Sequence, residues 1–167
     1  MDAKNKMKIF LVDDDKLFVS ALKYKLSKDN AYLEIKTFPT GEECVQNLHQ
    51  NPSLIILDYR LNGNYPEAID GIEVLKKIKR RAPDTAVIML SSQDNIEVAI
   101  NSLKGGAFDY LTKSENSFIK LKKIIGHLSY EIAYSENADK EERRMSLLSL
   151  SVALLIITLF LINRILS

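Results

Sequence analysis

The sequence predicts an α/β domain, a doubly wound five-stranded parallel sheet, with one C-terminal transmembrane helix beyond it. Three observations predict this. Apolar runs of strand length alternate with amphipathic stretches of helix length, and parallel strands need such crossover helices. Leu54–Leu57 is apolar throughout and Thr85–Leu90 is apolar from Ala86 onward, as expected of strands covered on both faces. From Met145 to Asn163 there is no charged residue.

Taken in order, Met7–Val12 is a strand and Lys16–Ser27 a helix with Leu17, Ala21 and Tyr24 on its apolar face. Tyr32–Phe38 alternates Leu33, Ile35 and Thr37 with polar residues, and Pro39 ends it. Gly41–His49 is a short helix with Cys44, Val45 and Leu48 inward. After the strand Leu54–Leu57, a helix over Gly71–Arg81 carries Ile72, Val74, Leu75 and Ile78 at helical period and is closed by Pro83. The strand Thr85–Leu90 leads to a helix over Asp94–Leu103, with Ile96, Ala99, Ile100 and Leu103 inward and Gly105-Gly106 as its stop. Ala107–Leu111 is the fifth strand. Ser117–Tyr134 is a longer helix, with Phe118, Leu121, Ile125, Leu128 and Ile132 on one stripe. Residues 1–134 therefore form the globular domain, 135–144 a juxtamembrane linker or solvated helix extension, and 145–165 the membrane helix.

Composition narrows the function classes. Up to Arg144 the chain holds 22 acidic and 22 basic residues, a formal charge of zero. Nothing clusters positive charge as a nucleic-acid surface would. Cys44 is the one cysteine, which excludes an intrachain disulfide and any Cys-based metal spacing. The lysine-rich start and an apolar stretch ending at Val12 are too short for a signal peptide. No GxGxxG or P-loop follows the first strand, which disfavours a nucleotide-binding protein or hydrolase of similar architecture.

The chemistry gathers at the carboxyl ends of the strands, where an open parallel sheet forms its ligand crevice. Asp13 and Asp14 follow the first strand, Asp58 the third, Ser91 and Ser92 the fourth, and Lys113 the fifth. Carboxylates converging there repel one another unless a cation sits among them. Mg²⁺ suits such a site because it takes oxygen ligands and favours phosphate partners. A lysine and a hydroxyl beside it bind further oxyanion charge, so the set is chemistry for holding a phosphoryl group. Asp15 directly precedes the first helix and reads as its N-cap.

With these residues in place, the chain from about Met7 to Tyr134 resembles the receiver domain of bacterial two-component response regulators, a flavodoxin-like fold. The resemblance rests on Val12-Asp13-Asp14-Asp15, Leu57-Asp58, Ser91 and Lys113, in order and at matching strand ends. It implies that Asp58 accepts a phosphoryl group from a sensor histidine kinase or phosphotransfer protein. It implies Mg²⁺ ligation by Asp14 directly, by Asp13 mainly through water, by Asp58, and by the backbone carbonyl of Arg60. Ser91, with Ser92 as the alternative, would bond a phosphoryl oxygen and Lys113 would pair with it. Tyr110 would be the aromatic switch residue; otherwise it is a partly buried strand aromatic. Arg60 and Gln93 stand where side chains reach an attacking water in this family. His49 and His127 lack any constellation and read as surface residues.

Two departures stand out. Ser114 replaces the proline that usually follows the lysine in a cis peptide, and a cis bond there would cost about 2.5–4 kcal/mol, which leaves open a trans bond with a less fixed lysine. The loop from Tyr59 to Asp70 is long and turn-rich around Asn62-Gly63-Asn64-Tyr65-Pro66.

The 19 residues from Met145 to Asn163 would span roughly 28 Å as a helix, close to a bilayer's hydrocarbon thickness of about 30 Å. The alternatives are a helix buried in an oligomer or lying in an interface. Lys140, Arg143 and Arg144 precede the run and only Arg164 follows, which puts the globular domain in the cytoplasm. Ser149 and Ala153 form a small-xxx-small pair, a weak pointer to a homodimer. The expected function is a membrane-tethered single-domain regulator, not an enzyme beyond its own phosphoryl transfer and dephosphorylation, signalling to an output protein without binding nucleic acid. The alternative is a phosphate sink or relay with no dedicated output partner.

Overall fold

The computed structural model describes residues 6–28, 30–61, 70–92 and 94–166, with the side chains at 136, 139, 156, 157 and 159–166 left aside. Strands β1 (Met7–Val12), β2 (Leu33–Phe38), β3 (Leu54–Asp58), β4 (Ala86–Ser91) and β5 (Asp109–Thr112) form one parallel sheet in the order β2-β1-β3-β4-β5. Helices α1 (Lys16–Ser27), α2 (Gly41–Gln46), α3 (Gly71–Arg81), α4 (Ile96–Lys104) and α5 (Glu115–Leu166) follow the strands in turn. Two compact units are distinguished, Met1–Lys122 and Lys123–Ser167.

The central strands are buried at every position from Ile9 to Val12 and from Leu54 to Asp58. Their period of two splits the core. Phe10, Val12, Ile55, Leu57, Val87 and Met89 pack with Cys44, Val45 and Leu48 and with Val74, Leu75 and Ile78 of α3. Burying such side chains contributes about 1.5–3 kcal/mol each, and truncating one, as in Leu57→Ala, should cost about 2–5 kcal/mol. Burial pushes the Cys44 thiol up to about 12, which leaves it inert.

Register then carries the strand ends to one edge. Val12 pairs with Leu57, so Asp13 and Asp58, the next residues, lie side by side. Ser91 pairs with Thr112, so Lys113 follows beside β4. The order reverses between β1 and β3, the position at which open α/β sheets form their crevice. Gly71 is the first residue of α3, and a Cβ there would stand 2.5 Å from the Asp58 carbonyl oxygen and 2.8 Å from the Tyr59 Cα. Only glycine lets the helix start this close to the strand end.

Several expectations need correction. On α1, Leu17 is 84% and Tyr24 66% exposed and Ala21 is exposed; Leu22 and Leu26 are buried instead. The helix carries two apolar stripes, and the one through Phe18, Leu22 and Leu26 turns inward. The predicted helix over Gly41–His49 is α2 followed by a 3₁₀ turn, Leu48–Gln50, closed by Asn51 in the left-handed region at φ 52°. On α4, Ile96, Ile100 and Leu103 are exposed; the buried residue is Ser102, whose Oγ donates to the Val98 carbonyl at 2.7 Å. Its stop holds: Gly106 takes φ +93°, which a side chain would oppose.

α5 does not end near Tyr134 but runs unbroken to Leu166. No glycine or proline follows Gly126, and residues 135–144 are rich in good helix formers, so the helix continues through them. Among the described residues no helix is long and apolar enough to cross a membrane. The expected span, 145–165, includes side chains at 156, 157 and 159–165 that lie outside the described residues.

Candidate functional site

The acidic loop after β1 is ordered by its own hydrogen bonds. Asp15 caps α1, its carboxylate accepting from the Leu17 and Phe18 N–H groups at 2.9 and 3.0 Å. The Asp15 N–H in turn donates to Asp13 Oδ1 at 2.9 Å. Asp13 is thereby aimed into the crevice, 5% exposed, beside Asp58 at 4%. One oxygen each from Asp13, Asp14 and Asp58 lie within 4.8 Å of one another.

Lys113 bridges the two buried carboxylates. Its ammonium is 2.6 Å from Asp13 Oδ2 and 3.2 Å from Asp58 Oδ1. Its backbone N–H donates to the Ser91 carbonyl at 2.8 Å, which locks the end of β5 to that of β4. No cis peptide occurs among the described residues, so the Lys113–Ser114 bond, which the sequence leaves open, is trans. Ser114 caps α5: its Oγ accepts from the Ser117 N–H at 3.3 Å and shares a hydrogen bond with Ser117 Oγ at 2.9 Å.

The electrostatics follow from burial. Desolvation, reinforced by the Asp13 charge, pushes Asp58 up to about 6 against the pull of Lys113. Desolvation also raises Asp13, despite its bond to Lys113. Burial alone would lower Lys113, but its bond to Asp13 and the charges of Asp58 and Asp13 hold it above its ordinary value. One ammonium thus meets two buried carboxylates, with a third, Asp14, in the same cluster. Apart from that ammonium, the buried Asp13 Oδ2 has no hydrogen-bond partner among the described residues. An all-oxygen donor set, excess negative charge and an under-satisfied buried oxygen fit a hard divalent cation such as Mg²⁺.

These groups line a cleft of about 590 Å³ together with Tyr59, Arg60, Asp70 and Ser92. The structure therefore brings Asp13, Asp14, Asp58, Arg60 and Lys113 together. Ser91 is buried at the end of β4, while its neighbour Ser92 lines the cleft, so the choice between the two hydroxyls stays open. Tyr110 is half-buried on β5 against the core. Gln93 and residues 62–69 of the long loop lie outside the described residues. Sequence reasoning missed Phe18, whose ring centroid is 4.5 Å from the Lys113 ammonium. Its position three residues after the cap, on the stripe with Leu22 and Leu26, was the available signal.

A carboxylate cluster, a lysine and a hydroxyl at the switch point of this sheet define a phosphoryl-accepting signalling domain. The chain belongs to the response regulator receiver domain family, whose model matches residues 9–126. It is 33% identical over 107 residues to the nitrogen assimilation regulatory protein NtrX of Azorhizobium caulinodans, covering 64% of this chain and 23% of that one. It is 29% identical over 147 residues to the transcriptional regulatory protein DegU of Brevibacillus brevis, covering 85% of this chain and 60% of that one. The chain thus spans less than two thirds of these relatives' length. Among solved structures it is similar to the BeF3-activated DrrB receiver domain, at 27% identity and a TM-score of 0.63 over 75% of this chain and 98% of that one. The receiver domain of the Francisella response regulator 1452 gives 28% and 0.64 over 76% and 99%.

Proposed function

We propose that this protein is a membrane-tethered response regulator that takes a phosphoryl group from a histidine kinase or phosphotransfer protein onto Asp58. The observation that carries the reading is the Lys113 ammonium between Asp13 and Asp58. An Asp58 oxygen attacks the phosphorus of the donor, the bond from phosphorus to the donor's leaving atom breaks, and an acyl phosphate results. Lys113 and the Ser91 or Ser92 hydroxyl offer fixed positive charge and a hydrogen bond to the transferring oxygens. Asp13, Asp14, Asp58 and the Arg60 carbonyl would hold Mg²⁺, which supplies charge neutralisation of those oxygens when bound. The chemistry is the chain's own phosphorylation and dephosphorylation, with no further substrate turned over. Tyr110 would report the phosphorylated state to the face of α4 and β5, and output would pass to another protein through that surface.

The tether reading is supported by α5 itself. Met145, Leu147, Leu148, Leu150, Val152, Leu154 and Leu155 are each 57–67% exposed, and the uncharged run continues to Asn163. Apolar side chains bare on all sides of a helix call for an apolar surrounding. Lys140, Arg143 and Arg144 before the run orient the receiver to the cytoplasm.

The test is the intact mass of the full chain in detergent after acetyl phosphate treatment. One phosphoryl group is expected in the presence of Mg²⁺, and none in EDTA or in Asp58→Asn. Undiminished labelling of that variant would overturn the assignment of Asp58.

A further inference from the structure

Among the described residues, the Lys113 ammonium meets Asp13 Oδ2 at 2.6 Å, Asp58 Oδ1 at 3.2 Å and the face of the Phe18 ring at 4.5 Å from its centroid. We propose that Phe18 is a positioning residue for Lys113, its ring face holding the ammonium over the paired carboxylates where the phosphoryl group arrives. This rests on the reading of Asp58 as phosphoryl acceptor.

Several observations carry the proposal. The separation lies well inside the ~6 Å over which a ring quadrupole attracts a cation. The Lys113 side chain is 14% exposed, so the contact is partly desolvated and stronger than one on an open surface. Packing on the stripe with Leu22 and Leu26 turns Phe18 inward but leaves it half-buried, with its ring face at the ammonium. It lines a hollow of about 340 Å³ with Lys113, Leu90 and Phe118.

The contacts close a ring. Asp13 Oδ1 accepts from the Asp15 N–H, Asp15 Oδ1 accepts from the Phe18 N–H, the Phe18 ring faces the Lys113 ammonium, and that ammonium returns to Asp13 Oδ2. The loop that carries the carboxylates thus also places the ring that holds their counter-charge. Lysine's stem is long and freely rotating. The backbone bond to Ser91 anchors its root, not its tip. Two carboxylates restrain the tip from one side, and both stand among the groups a cation would engage. The ring is the partner that stays.

The test uses the full chain in detergent with Mg²⁺ and acetyl phosphate, following initial labelling by intact mass. Phe18→Leu should label about three- to tenfold more slowly, as expected for loss of a partly desolvated cation–π contact. Phe18→Met, which keeps volume without a ring, should fall with it. Phe18→Tyr, which keeps the ring face and has room in the hollow, should stay within about twofold of wild type. A second readout is the Lys113 ε-methylene proton shift, moved upfield by the ring in wild type and Phe18→Tyr and restored to the ordinary lysine position in Phe18→Leu. Wild-type labelling rates in both ringless variants, or an ordinary lysine shift in the wild type, would overturn the proposal. If the wild type takes no phosphoryl group, the acceptor reading fails, while the proton shift still reports whether the ring faces the ammonium.

Discussion

The Lys113 ammonium lies nearer to Asp13 than to Asp58, the candidate acceptor, by 2.6 Å against 3.2 Å. In the absence of a metal its first task is therefore to neutralise a neighbouring buried carboxylate. That makes the lysine a structural counter-ion as well as the proposed phosphoryl ligand.

Lys113→Ala should destabilise the metal-free protein by about 2–3 kcal/mol. Breaking a buried ion pair costs about 3–5 kcal/mol, and partial exposure of the lysine reduces that. Mg²⁺ should recover more stability in the variant than in the wild type, since it would replace the missing charge. Urea unfolding followed by tyrosine fluorescence, with EDTA and with Mg²⁺, checks this. Equal recovery in the two proteins would contradict the counter-ion role.

Asp58→Asn should stabilise the metal-free fold at neutral pH and above. Asp58 is raised from 3.8 to about 6 by burial beside Asp13. A carboxyl group raised in the fold is favourable when protonated, so its contribution is present below the unfolded value and is lost as the pH rises through about 6. The gain from Asp58→Asn should be about 1–3 kcal/mol on the alkaline side and should vanish on the acid side of the window. Unfolding free energies across that window in EDTA decide it; a gain that does not change with pH would exclude this origin.

Asp15→Ala should cost about 1 kcal/mol through loss of the cap on α1, with Asp58 still labelled. Asp15→Ser should recover most of the loss, because a hydroxyl can also accept from the Leu17 and Phe18 N–H groups. If Asp15→Ala abolished Mg²⁺-dependent labelling, Asp15 would belong to the metal site instead.

The strands and the chemistry at their ends were legible because both are local. A buried strand shows as an apolar run, and the residue after it falls at the crevice whatever the helices do. Helix faces were less legible where two stripes compete. On α1, Leu17 and Phe18 are equally apolar, and only packing against the sheet decides that Phe18, Leu22 and Leu26 turn inward. On α4 the periodicity of Ile96, Ile100 and Leu103 is real, but the stripe stays exposed, so period alone did not reveal which surface covers it. The end of α5 was less legible because the apolar spacing stops at Ile132, whereas helix formers carry the backbone onward. Phe18 escaped notice because its partner is 95 residues away in sequence, and a cation over a ring leaves no local pattern.

The last prediction concerns the tail. Residues Met145–Leu155 expose apolar side chains around the helix, and the run stays uncharged to Asn163. In water such a surface is costly, at about 25 cal/mol per Å². In a bilayer it is solvated, and the helix satisfies its own backbone hydrogen bonds. The full chain should therefore resist carbonate extraction from membranes. Protease should reach the receiver in inverted vesicles but not in right-side-out ones, given the basic flank at Lys140, Arg143 and Arg144. A chain ended after Arg144 should be soluble and still take up phosphate with Mg²⁺, since every residue of the cleft precedes that point. Release of the full chain by carbonate would point instead to a helix that buries its apolar surface against other copies. Loss of phosphorylation in the shortened chain would mean that the receiver's fold depends on residues beyond Arg144.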